Sequence, residues 1–186
     1  MSEQIIKPAA IGLRFGAVAG LACVLLTLTL YLISPEMVFS WWFFSGFAII
    51  VFLKIWSVYS IMKAKRVVDF KEGLQSAFMV SVVSLLLWTT FNSLLVGVFD
   101  PSLIEAQKKI SIERTASMME KFNAPEEKID ETLDAMEEED YKPTFGKVAL
   151  NYAFSLFVGF VYAVLTAGIF HYASKGNKLQ PDFSPN

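Results

Sequence analysis

The chain reads as an all-α membrane protein: four transmembrane helices, with an extracytoplasmic helical hairpin between the third and the fourth. Three observations lead there. Of 186 residues, 54% are hydrophobic and 18% charged, against about 45–50% and about 25% in a water-soluble domain. Four apolar runs are each long enough to cross a hydrocarbon core of roughly 30 Å as a helix. Thirteen of the 18 acids fall between Asp100 and Lys147, so polarity is gathered into one segment.

The first span is expected at about 15–33 and contains no charged residue. An apolar run behind Lys7 and Arg14 also resembles a secretory leader. It is too long for a leader's apolar core, however, and Ser34, Pro35, Glu36 and Met37 form no small-residue cleavage site, so a retained helix is expected. The second and third spans are expected at about 38–61 and 74–99, making residues 1–99 a three-helix unit. Residues 100–147 form the acidic hairpin. Asp100 and Pro101 suit the N-cap and first position of a helix running to about Phe122, because proline's missing N–H does no harm there. Asn123, Ala124 and Pro125 then restart a second helix, with Glu126 and Glu127 complementing its dipole. Ile112, Ala116, Met119 and Phe122 make one apolar stripe and Ile129, Leu133 and Met136 another, so the two helices can close on each other. The fourth span is expected at about 148–174, followed by a polar cytoplasmic tail, 175–186.

Sidedness follows from charge density. The second loop packs Lys63, Lys65, Arg66 and Lys71 into nine positions, while the seven basic residues between Asp100 and Lys147 are diluted by 13 acids, for a net −6. The opposite side carries eight basic residues, Lys178 among them, against Glu3, Asp69, Glu72 and Asp182, for a net +4. Lys/Arg enrichment marks the cytoplasmic side, so both termini are expected in the cytoplasm of a multi-pass inner-membrane protein. Trp41, Trp42, Phe43 and Phe44 then form an interfacial aromatic belt on the outer side.

Lys54 is the sharpest anomaly, lying inside the second span about 13 Å along the helix from Lys63. A lysine near the centre of a span costs roughly 2.5 to 3.5 kcal/mol on insertion scales and marks a functional site by default. The expected spans offer it no acid. The candidate intramembrane polar site is therefore Lys54 with Ser81 and Ser84 of the third span, Tyr162 and Thr166 of the fourth, and the local face of Trp56. The plainer alternative is snorkelling toward the headgroups.

Two ridges of small residues suggest close helix packing. Gly12, Gly16 and Gly20 repeat at four-residue spacing on the first helix, and Asn151, Ser155, Gly159, Ala163, Ala167 and His171 do so on the fourth. The ridges could pack against each other, or one could meet a partner protein; internal packing is favoured for the fourth helix. His171 is read as a capping group for the C-terminal dipole of its helix, and Cys23 as a small packing residue.

Other chemistry is sparse. The one cysteine has no disulfide partner in the chain, and one cysteine with one histidine makes no metal site of those types alone. Glu137, Glu138, Glu139 and Asp140 lack the turn spacing and glycine of a calcium loop and read as a solvated run. No phosphate-binding glycine loop or hydrolase motif is present, so no enzyme activity, cofactor, metal or nucleic acid is expected.

A further likeness rests on the order of segments. Three spans, with a basic loop entering the third as Val68-Asp69-Phe70-Lys71-Glu72-Gly73, are followed by an acidic helical insertion with a Pro-Glu-Glu restart at Pro125 and then a final span. Over residues 8–176 this layout resembles the bacterial membrane proteins called domain of unknown function 4199. The resemblance implies a four-helix inner-membrane architecture in a Gram-negative bacterium and no activity or ligand residues. The expected role is a non-enzymatic accessory or assembly component of a membrane complex, with the lipid bilayer and either a second copy or other subunits as partners. The alternative is a small transporter or channel subunit that uses Lys54 to attract an anion.

Overall fold

The computed structural model describes residues 7–176, except for the side chains of Trp42, Phe43 and Gly176. Glu3, Lys178, Asp182 and residues 177–186 of the expected tail lie outside the described residues, as do the belt side chains of Trp42 and Phe43. Among the described residues the chain is helical throughout, with helices α1 (Pro8–Ile33), α2 (Ser45–Lys65), α3 (Phe70–Leu94), α4 (Leu103–Lys121), α5 (Glu126–Glu138) and α6 (Phe145–Gly176). Four segments are long and apolar enough to cross a membrane: Pro8–Ile33, Ser45–Lys65, Phe70–Phe99 and Phe145–Lys175.

The helix ends follow local chemistry. Pro8 opens α1 at a position where its missing N–H is harmless. Ser34, held extended (φ −159°, ψ 128°) by the proline after it, closes the helix. The connection to α2 is two short 3-10 turns, Pro35–Phe39 and Trp41–Phe44, which replace the start of the second span expected at about 38. These turns, the first opened by Pro35 and the second wholly aromatic in sequence, shorten α2, which nonetheless runs to Lys65. There Arg66 takes a left-handed conformation (φ 63°) and its N–H closes on the Met62 carbonyl. The α3 helix continues through one π turn, Leu95–Phe99. Asp100 then accepts the Ser102 N–H (3.2 Å) and hydroxyl through its side chain, and α4 starts at Leu103, two residues after Pro101.

The α3 helix is the axis of the bundle, packed against α1, α2 and α6. The two small-residue ridges do not pack against each other: among the described residues the backbones of α1 and α6 do not come together, and each ridge meets α3. The reason lies in α3 itself, which carries two adjacent ridges of small side chains at i, i+4 spacing. Ser76, Val80 and Ser84 receive α1 so closely that a Cβ on Gly12 would stand 2.4 Å from the Ser76 carbonyl oxygen. Gly73, Ala77 and Ser81 face α6: a Cβ on Gly73 would be 3.3 Å from that of Ala167, and Ala77 shares a buried cluster with Ala163. Ser155, at the open end of the α6 ridge, is only half-buried.

Polar links fasten the layers. The Trp88 indole donates to the Thr27 hydroxyl (2.9 Å), and Gly46 lies on the same ring, where a Cβ would be 2.7 Å from it. At one end the Tyr31 hydroxyl donates to the Asp100 carboxylate (3.0 Å), above a cluster of Val38, Leu95, Val96 and Leu103. At the other end the buried Val68 N–H donates to the Ser174 hydroxyl (3.3 Å), and His171 Nδ1 lies 3.0 Å from the Val68 carbonyl. A carbonyl only accepts, so Nδ1 carries the proton. His171 thus ties the α2–α3 loop to α6, a contact that its expected capping role did not include.

The outward faces of the four long helices are apolar, with Leu25, Leu32, Phe154 and Ile169 all more than half exposed. Continuous apolar surface on this scale is what a bilayer covers and water does not. The acidic helices α4 and α5 pack on each other at the end that holds the α1–α2 connection. Their apolar stripes are half-buried, apart from Phe122, which is 79% exposed.

Candidate functional site

Lys54 sits on the inward face of α2 and is 2% exposed. A straight-chain residue suits the helix interior, and its neighbours Val58 and Ile61 on the same face are buried with it. Snorkelling does not describe this side chain. Its ammonium donates to the main-chain carbonyl of Gly159 on α6 (3.1 Å) and stands 5.7 Å from the centre of the Tyr162 ring, which presents the attractive face of its quadrupole to a cation. The carbonyl is reachable because Gly159 has no side chain, and its second lone pair leaves the helical bond intact.

The other expected companions divide. Ser81 Oγ is buried, has no hydrogen-bond partner, and lies 3.0 Å from the point where a Cβ on Gly159 would stand. Ser84 and Thr166 donate to carbonyls of their own helices, those of Val80 (2.7 Å) and Tyr162 (2.8 Å). This back-bonding satisfies a hydroxyl locally and leaves its hydrogen unavailable to a ligand. Trp56 is 48% exposed on the outer face and takes no part. A serine pair that the sequence did not single out adds to the site: Ser57 donates to the Lys54 carbonyl (2.8 Å) and receives the Ser76 hydroxyl (3.3 Å).

The site is therefore a buried cation short of anionic partners. Glu72 is the one acid within the four long apolar segments, in the first turn of α3, and it pairs with Lys65 at 2.5 Å. An ammonium offers three donors, and Gly159 takes one. The polar groups gathered there are the ammonium, a main-chain carbonyl, the Tyr162 ring face and the Ser81 hydroxyl beside the same stretch of α6.

A second group of residues was legible in the sequence only as diffuse loop charge. Arg114, Lys142 and Lys147 line one cavity of about 550 Å³ at the α4–α5 end of the bundle. Their separation along the chain hides the cluster, and no spacing motif announces it. The Glu137–Asp140 run is exposed beside that cavity, and of its four acids only Glu139 lines it.

The family described as "Protein of unknown function (DUF4199)" matches residues 14–171. No curated protein and no solved structure matches the chain.

Proposed function

The chain belongs to the DUF4199 family, and from that premise we propose that it is a non-enzymatic accessory component of a bacterial inner-membrane complex, spanning the membrane four times with both termini cytoplasmic and α4–α5 outside. What supports the spans is their length and apolar outward surface; what supports the orientation is the basic loop Lys63–Lys71. The assembly role no longer rests on the glycine ridges, because α3 occupies both.

It rests on one observation. Phe122 is 79% exposed and Met118, one turn earlier on α4, is 59% exposed, within an otherwise acidic polar cap. Apolar surface rimmed by charge is the usual form of a protein-docking surface. The test is a photo-cross-linking residue placed at Phe122 in the full chain, with Leu25 on the outward face of α1 as the control. A discrete protein adduct at Phe122 and none at Leu25 is expected. A strictly monomeric protein whose Phe122 probe gives lipid adducts or none contradicts the role.

A second reading is favoured by Lys54: a small transporter or channel subunit that draws an anion to the buried ammonium. Lys54→Leu should then abolish anion flux in liposomes while the protein still folds, and unchanged flux would remove this reading.

A further inference from the structure

The cavity at the α4–α5 end holds charge of the opposite sign to the cap that surrounds it. Between Asp100 and Lys147 the chain has seven basic residues and 13 acids. The cavity wall takes three of those cations, Arg114, Lys142 and Lys147, and one of the acids, Glu139. Glu139 reaches only Lys147, at 4.0 Å, and among the described residues neither Arg114 nor Lys142 is in an ion pair. Two of the cations are fixed by the backbone: Arg114 donates to the Phe39 carbonyl and Lys147 to that of Asp140. A carbonyl holds such a group in place without neutralising its charge.

The rest of the lining includes residues of the long apolar segments, which also supply Lys147 from the first turn of α6. Asn92, Ser93 and Val96 at the end of α3, and Val148 and Asn151 at the start of α6, line the same space. Asn151 is exposed, although it lies in a segment fit to cross a membrane. At this end the first buried residue of α6 is Gly159, and before it Tyr152 reaches across to α3, its hydroxyl donating to the Val82 carbonyl (3.0 Å). The cavity thus joins basic groups, amides and hydroxyls, and apolar side chains such as Val96 and Val148 in one lining, and its volume of about 550 Å³ is in the roughly 300–1,000 Å³ range of small-molecule sites.

We propose that this cavity binds a phosphate-bearing amphiphile, an anionic phospholipid, with its headgroup phosphate against Arg114, Lys142 and Lys147 and its glycerol and upper acyl region between α3 and α6. Guanidinium and ammonium groups together are the usual phosphate partners, and the apolar wall gives the acyl portion its place, which a free anion would leave empty. The inference stands apart from the docking role of Phe122, which lies outside the cavity.

The test uses the full chain in nanodiscs and in mild detergent, with bound lipid read by native mass spectrometry. Wild type should retain phosphatidylglycerol over phosphatidylcholine at least tenfold. The triple variant Arg114→Gln/Lys142→Gln/Lys147→Gln should lose that preference. Lys121→Gln/Lys128→Gln, which lowers the charge of the same segment outside the cavity, should keep it. Val148→Trp, which fills the apolar wall and leaves the cations alone, should also lose the lipid, so misfolding of the triple variant would not protect the idea. Equal loss in the cavity and control variants, or no preference in wild type, overturns it. So does displacement of the lipid by millimolar inorganic phosphate, which would identify a free anion as the ligand.

Discussion

The Lys54 ammonium on α2 donates to the Gly159 carbonyl on α6 at 3.1 Å, joining two helices that also share a buried cluster of Val58, Ile61 and Ala163. This places a cation in the bundle core at a point where α6 has no side chain. Replacing a buried charge by an apolar residue of similar volume is often neutral or stabilising, by about 1–4 kcal/mol. Lys54→Met should therefore unfold no earlier than wild type, as measured by thermal denaturation in detergent. Lys54→Ala should lose roughly 2–5 kcal/mol to the space it leaves. A stability gain coupled to loss of function in Lys54→Met would mark the lysine as retained for what it does.

The ridge contacts separate glycines that look alike in sequence. Gly12 has the Ser76 carbonyl oxygen 2.4 Å from where a Cβ would stand, while nothing lies within 4 Å of that point at Gly168. Gly12→Ala should destabilise by about 1–3 kcal/mol, because backbone cannot yield as a side-chain tip does. Gly168→Ala should be neutral or slightly stabilising, since alanine is the better helix former. Equal effects in denaturation of the two variants would contradict the packing of α1 on α3.

Asp100 predicts a pH dependence at the α3–α4 junction. Hydrogen bonds from Ser102 first, and from Tyr31 second, hold its carboxyl below the ordinary value of 3.8. A carboxyl whose folded value is depressed contributes stability above its unfolded value, about 3.9, and loses it as pH falls through the folded value. Hydrogen exchange at Leu103 to Gln107 should therefore rise as pH drops below about 4, once corrected for the intrinsic rate. Asp100→Asn should flatten that response, because the amide oxygen still accepts the Ser102 N–H and does not titrate.

At the opposite end the loop before α3 depends on one hydroxyl. Val68 is fully buried and its N–H has Ser174 Oγ as acceptor. Ser174→Ala leaves that donor unsatisfied, at a cost of about 1–3 kcal/mol. Exchange of the Val68 amide should accelerate more than that of amides in the middle of α3.

The four long helices were legible because mean hydropathy over 20 or so residues survives any detail of packing. Their ends were not: Phe70 and Phe145 begin helices several residues before the apolar runs do, since a polar first turn is as able to be helical as an apolar one. The small-residue ridges were legible as ridges, but their partner was not, because Ser81 and Ser84 read as companions of Lys54 and not as neighbours of glycines. The buried cation could be seen in the sequence, whereas its acceptor is a main-chain carbonyl, which no residue type announces. Tyr162 stands 5.7 Å from the ammonium and Ser81 lies beside Gly159, whereas Ser84 and Thr166 turn to their own backbones. The basic cavity lining joins residue 114 of α4, residue 142 of the α5–α6 connection and residue 147 of α6, a juxtaposition that exists only once α4 has folded over the end of the bundle.

The central claim is a four-span protein with its acidic helices outside and its basic loop inside, and labelling of single cysteines in intact cells tests it most directly. In a Cys23→Ala background, Ser117→Cys on α4 should react with a membrane-impermeant maleimide from outside. Lys63→Cys at the end of α2 should react only after the inner membrane is opened. Labelling of Lys63→Cys in intact cells with protection of Ser117→Cys, or equal labelling of both, would contradict it.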